Sequence, residues 1–103
     1  MPRAARQDTV DLRARRTRDH GTIRRWMEER GGHPAMVDGT QILRIDFNEP
    51  NDDDEKLRPV SWDEFFRVFD ERGLEFLHQD RTQHGKISRF NKFVYAGTDR
   101  EQG

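Results

Sequence analysis

Two stretches of this chain run a helical pattern into the same three residues and then change period. In "IRRWMEERGGHPAMVDG" (Ile23 to Gly39), Ile23, Trp26, Met27 and Arg30 recur at i, i+3, i+4 and i+7, and Glu29-Arg30-Gly31 follows. In "EFFRVFDERGLEFLHQD" (Glu64 to Asp80), a run of phenylalanines ends on Glu71-Arg72-Gly73. Each then enters a short apolar segment. A glycine directly after an amphipathic turn stops a helix, because it adopts the left-handed C-cap conformation without a Cβ clash. The chain therefore alternates helix and extended segments twice. The echo reads as two ordinary αββ units that share a helix stop; the alternative, an internal αββ repeat by duplication, has no long identity behind it.

Local signals refine this pattern. Thr17 or Asp19 offers an N-cap for the first helix. Ser61-Trp62-Asp63-Glu64 is a capping box opening the second, along which Trp62, Phe65, Phe66 and Phe69 form an aromatic stripe. "PAMVD" and "QILRIDF" read as strands. Leu43, Ile45 and Phe47 point one way, and Arg44 and Asp46 the other. Asp38-Gly39 between them is a hairpin signal. "NEPNDDDEKLRP" reads as an exposed acidic loop. "LEFLHQ" and "KISRFNKFVY" read as strands flanking the turn "DRTQHG". The expectation is a small single α+β domain of order αββαββ. It has one antiparallel sheet of about four strands and both helices on one face.

At 103 residues, one domain is the sensible count. The charged share is 38%, the hydrophobic share 31%, and the mean hydropathy -1.17. The apolar residues cluster between Ile23 and Tyr95. A core this small leaves a stability margin of about 5 kcal/mol. The expected organisation is a disordered basic arm over 1–18, the α+β domain over 19–96 and a disordered tail over 97–103. With no cysteine, disulfides and thiolate chemistry are excluded. No apolar run spans a bilayer and no secretory signal opens the chain, so a cytoplasmic protein without membrane attachment is expected.

The net charge of -1 hides an asymmetry. Arg3, Arg6, Arg13, Arg15, Arg16, Arg18, Arg24 and Arg25 crowd the first quarter, opposed there by Asp8, Asp11 and Asp19. Acidic residues fill the middle, from Asp46 to Glu55. A nucleic-acid surface is one reading: Arg13, Arg15, Arg16 and Arg18 from the arm, with Arg89 and Lys92 beside Phe90 and Phe93 in "SRFNKF". Regular strand geometry would put Phe90 with Lys92 on one face and Arg89 with Phe93 on the other, so one aromatic side belongs to the core. The segment does not match the RNP1 pattern.

Metal ligation has one weak candidate set, His78, Asp80 and His84, without signature spacing; no metal or other cofactor is expected. His20, His33, Asp46 and His78 are the residues worth weighing as acids or bases, and none sits in a catalytic motif. Trp26 and Trp62 read as core. These absences favour a non-catalytic binding or regulatory module with a protein partner, with nucleic acid as the alternative partner. A homodimer closing the outer sheet face is a further arrangement to test.

The stretches "IRRWMEERGGHPAMV", "ILRIDF", "SWDEFF" and "LHQDRTQHGKISRFNKFV" together make His20 to Tyr95 resemble a family of small bacterial proteins. Some members of that family carry the label "1,4-alpha-glucan branching enzyme". Branching enzymes resemble large barrel hydrolases, and this chain cannot form such a barrel. What the resemblance implies is therefore an accessory association with glycogen metabolism, not the branching reaction. The arginine-rich arm and the short Asp38-Gly39 turn depart from the family pattern.

Overall fold

Both helices begin where the sequence supplies an acceptor for their first free amides. Asp19 caps α1 (His20–Glu29) by accepting from the Thr22 backbone N–H at 2.8 Å. Ser61 Oγ caps α2 (Trp62–Glu71) by accepting from the Glu64 N–H at 3.0 Å. The second half of that capping box is not made: the Glu64 carboxylate turns instead toward Arg58, at 3.9 Å. Both helices end as the repeated tripeptide dictates, with Gly31 (φ 70) and Gly73 (φ 64) in the left-handed region.

The computed structural model describes residues 14–48 and 55–97. The four expected strands are present as β2 (His33–Val37), β3 (Leu43–Asp46), β5 (Leu74–His78) and β6 (Asn91–Tyr95). Two more accompany them, β1 (Arg15–Thr17) and β4 (Leu57–Pro59). The strands divide between two antiparallel three-stranded sheets, of order β1-β5-β6 and β3-β2-β4, where the sequence suggested one sheet. Each helix is thus preceded by a short strand and followed by two longer ones. The strand before α1 joins the pair that follows α2, and the strand before α2 joins the pair that follows α1. This reciprocal exchange ties the halves together, and the α+β class stands.

The two short strands correct two sequence assignments. Arg15–Thr17 was assigned to a disordered arm, yet its backbone satisfies the edge of β5, with Arg15 opposite His78 and Thr17 opposite Phe76. The domain therefore starts before Asp19, and residues 1–13 of the expected arm lie outside the described residues. Leu57–Pro59 was assigned to the acidic loop, but it pairs with β2, and Pro59 is tolerated because β4 is an edge strand. The remaining loop residues 49–54 and most of the expected tail, 98–103, also lie outside the described residues.

A third correction concerns the last strand. It begins at Asn91, and before it regular pairing lapses to a single bridge of Ile87 to Arg81. Ser88 is the cause. Its hydroxyl donates to Gln79 Oε1 (2.8 Å) and accepts from the Phe90 N–H (3.1 Å), a local turn that competes with strand pairing. Ile87 and Phe90 are left 54% and 43% exposed.

One core joins all four layers. Ile23, Trp26 and Met27 of α1 and Phe65, Val68 and Phe69 of α2 pack with Met36, Leu43 and Ile45 from one sheet. Leu74, Phe76 and Phe93 come from the other. Trp26 is buried as expected. Trp62 is only half-buried, stacked on Phe66 with the Arg24 guanidinium 4.9 Å above it, because it opens α2 at the edge of the core.

Candidate anion-binding site

A cleft of about 790 Å³ opens where α1, β1 and the β5–β6 connection meet. Its walls carry five arginines, Arg15, Arg16, Arg25, Arg30 and Arg81, against two carboxylates, Glu29 and Asp80. Trp26, His78 and Ile87 contribute the rest of the chemistry-bearing wall, with Thr17 and Thr22 at its margin.

Arg30 builds the cleft. Its side chain is 5% exposed and lies over the Trp26 ring at 4.1 Å. Its guanidinium donates to three carbonyl oxygens: Ser88 at 2.6 Å, Trp26 at 2.9 Å and Asp80 at 2.9 Å. A planar fork of donors suits this arrangement, and no other side chain could make it. It fastens the long β5–β6 connection to α1. Burial pulls the Arg30 pKa below the usual arginine range, while Asp80 and Glu29 oppose the shift; the group stays charged.

His78 forms the inner wall. It ends β5 in phase with Leu74 and Phe76, so strand alternation turns it inward. Its ring stacks on Phe76 (5.3 Å, 17°) and meets the Trp26 edge at 5.8 Å. Nδ1 lies 3.1 Å from Asp80 Oδ1. Desolvation lowers the His78 pKa, with Arg30 and Arg15 adding to the effect and Asp80 opposing it. At neutral pH the ring is uncharged, and the bond to Asp80 places its proton on Nδ1.

This shift predicts a pH signature of stability. The folded His78 pKa lies below its unfolded value of about 6.5. Above both values the group contributes no difference. As pH falls through the unfolded value the unfolded chain takes the proton first, so the folded state loses stability. Urea midpoints at about pH 7 and about pH 5.5 should show the advantage of wild type over His78→Gln shrinking at the lower pH. An unchanged difference would count against a buried neutral His78.

The arginines expected to bind nucleic acid are only partly gathered here. Arg15 and Arg16 line the cleft, with Arg16 also bonded to Glu75 at 3.3 Å. Arg18 is exposed and outside it, and Arg13 lies outside the described residues. Arg89 packs over Phe47 at 5.1 Å, and Lys92 sits opposite Leu77 on the other face of the sheet; neither enters the cleft. Of the metal candidates, His78 and Asp80 are bonded, whereas His84 is exposed in the following turn. Among the described residues no group of three metal-type ligands forms.

The remaining acid–base candidates lie apart from the cleft. His20 Nε2 is 3.0 Å from Asp70, His33 is exposed, and Asp46 accepts from the Asn48 N–H at 2.7 Å. Arg25, Arg30 and Arg81 were not singled out as site residues from sequence. Trp26 and Arg30 at i, i+4 carried a readable signal, since a cation one turn from an indole can cover its face.

Among the described residues no helix is long and apolar enough to cross a membrane. Comparison with protein-family models, with curated proteins and with solved structures finds no match to this chain.

Proposed function

We propose that this domain is a non-catalytic module that binds single-stranded nucleic acid, with the arginine cleft holding the phosphate backbone. The observation that carries the proposal is the convergence of five arginines on one cleft faced by two carboxylates. Phe90 supports it. The side chain stands 43% exposed next to Arg89, whereas Phe93 is buried, so one aromatic is available to stack on a base. Such stacking requires an unpaired strand, which disfavours duplex as the ligand.

The reading is non-catalytic because the cleft's cations act electrostatically or structurally. His20, His33 and His84, the chain's other histidines, all lie outside it.

Titration of the full chain with labelled single-stranded RNA, single-stranded DNA and duplex DNA, at two salt concentrations, tests the reading. Single strands should bind with a steep salt dependence. The double variant Arg25→Gln, Arg81→Gln should reduce the slope of log affinity against log salt by about 1.4. Equal binding and equal slope in wild type and variant would end the proposal.

A further inference from the structure

Electrostatics leaves one cleft residue unexplained. The His78 side chain is 7% exposed and its Nδ1 is bonded to Asp80, but its Nε2 has no hydrogen-bond partner among the described residues. Buried polar atoms are rarely left unpaired. With the proton on Nδ1, Nε2 keeps a free lone pair, and His78 lines a cleft walled by cations. A ligand that brings negative charge together with one donor therefore satisfies this cleft more fully than one that brings charge alone.

A phosphodiester brings only acceptors and would meet the lone pair with another. A phosphate monoester differs in two respects. It carries a charge of about -1.5 to -2 near neutral pH, and its second proton titrates at about 6. That proton sits close in pKa to an imidazole, so the two groups can share it. Cations still outnumber carboxylates in the cleft once Arg16, bonded to Glu75 on the Leu77 face of the sheet, is set aside, which suits a dianion better than a single diester.

We infer that the cleft recognises a terminal phosphate monoester, with His78 Nε2 sharing the phosphate proton and the surrounding guanidiniums taking the remaining oxygens. The phosphorylated end of a nucleic-acid strand and a free nucleotide present this same chemistry. In the first form the inference rests on the nucleic-acid reading above; in the second it stands without it. The groups facing His78 are Arg15 from β1, Phe76 from β5, Trp26 from α1, Arg30 from the C-cap of α1, and Asp80 from the following loop. Arg25, Glu29 and Arg81 share the cleft. Adding a phosphate dianion to this set favours the imidazolium, so binding near neutral pH takes up a proton.

The test compares one strand sequence with a 5′-phosphate and with a 5′-hydroxyl, as RNA and as DNA, against the full chain. Adenosine 5′-monophosphate and inorganic phosphate serve as competitors. The phosphorylated strand should bind at least about tenfold tighter. Calorimetry in buffers of different ionisation enthalpy should show proton uptake for it alone. His78→Gln should bring the ratio of the two affinities near one.

Asp80→Ala, at a half-exposed position, removes the acceptor that holds the tautomer. It should reduce the ratio as well, which covers the case of a His78 variant that does not fold. Equal binding of both ends by wild type would overturn this inference and leave the nucleic-acid reading intact. A preference set by ribose against deoxyribose, regardless of the end group, would overturn it in favour of a 2′-hydroxyl donor. Calorimetric binding of the mononucleotide without binding of any strand would keep the phosphate site and remove the strand reading. No binding of any probe would remove both.

Discussion

Replacing Phe69 by alanine should cost about 3–5 kcal/mol of stability, enough to consume most of the margin of a domain this small. Phe69 is fully buried. Its ring lies 6.3 Å from Phe66 and 6.3 Å from Phe93, edge-on to both, so it bridges α2 and β6. The same side chain belongs to the cluster that includes Met36, Leu43 and Ile45 of the other sheet. Truncation would leave a cavity between two three-stranded sheets, neither of which forms a closed core alone. Urea unfolding followed by circular dichroism gives the measurement. Phe66→Ala, three positions earlier in the stripe and only half-buried, should cost clearly less. A Phe69→Ala loss under about 1 kcal/mol would mean that the two sheets do not share one core.

How much of this could be read from the sequence depended on whether the signal was local. Both helices and their stops were legible, because caps, amphipathic spacing and the Glu-Arg-Gly endings act within one turn. The four longer strands were legible from alternation, as at Leu43 and Ile45. What was not legible is long-range pairing. Nothing in "RRT" or "LRP" marks a strand; each becomes one only because an edge of β5 or β2 needs partners for its backbone.

Splitting one expected sheet into two follows from the same cause, since each short strand pairs across the halves and not within its own. The site was half legible. Arg15 and Arg16 were named for their charge. Arg30 was placed only in the helical pattern and its Glu-Arg-Gly stop, because its carbonyl partners at Asp80 and Ser88 lie 50 and 58 positions away. His78 was named as a weak metal candidate and an acid or base to weigh, but neither its inward place at the end of β5 nor its neighbours in space were visible.

The second large effect should come from that same arginine. Arg30→Met keeps the aliphatic stem over Trp26 but removes the three donors that hold the carbonyl oxygens of Trp26, Asp80 and Ser88. Hydrogen bonds to a charged donor are worth about 1.5–3 kcal/mol each, and those facing the cleft regain water when the guanidinium leaves. A net loss of about 3 kcal/mol is expected. Arg30→Lys should recover little of it, since an ammonium cannot reach three carbonyls set for a planar fork.

The loss should be local before it is global. The Ser88 N–H, bonded to the Asp80 carbonyl at 3.1 Å, and the Gln79 N–H, bonded to the Phe90 carbonyl at 3.2 Å, lie in the segment Arg30 fastens. Their hydrogen-exchange protection should fall while that of α2 holds. The cleft wall formed by Asp80, Arg81 and Ile87 would loosen with them, so affinity for an anionic ligand should drop even where the variant remains folded. Unchanged protection at Ser88 and Gln79, with stability within about 0.5 kcal/mol of wild type, would show that the β5–β6 connection holds its place without Arg30.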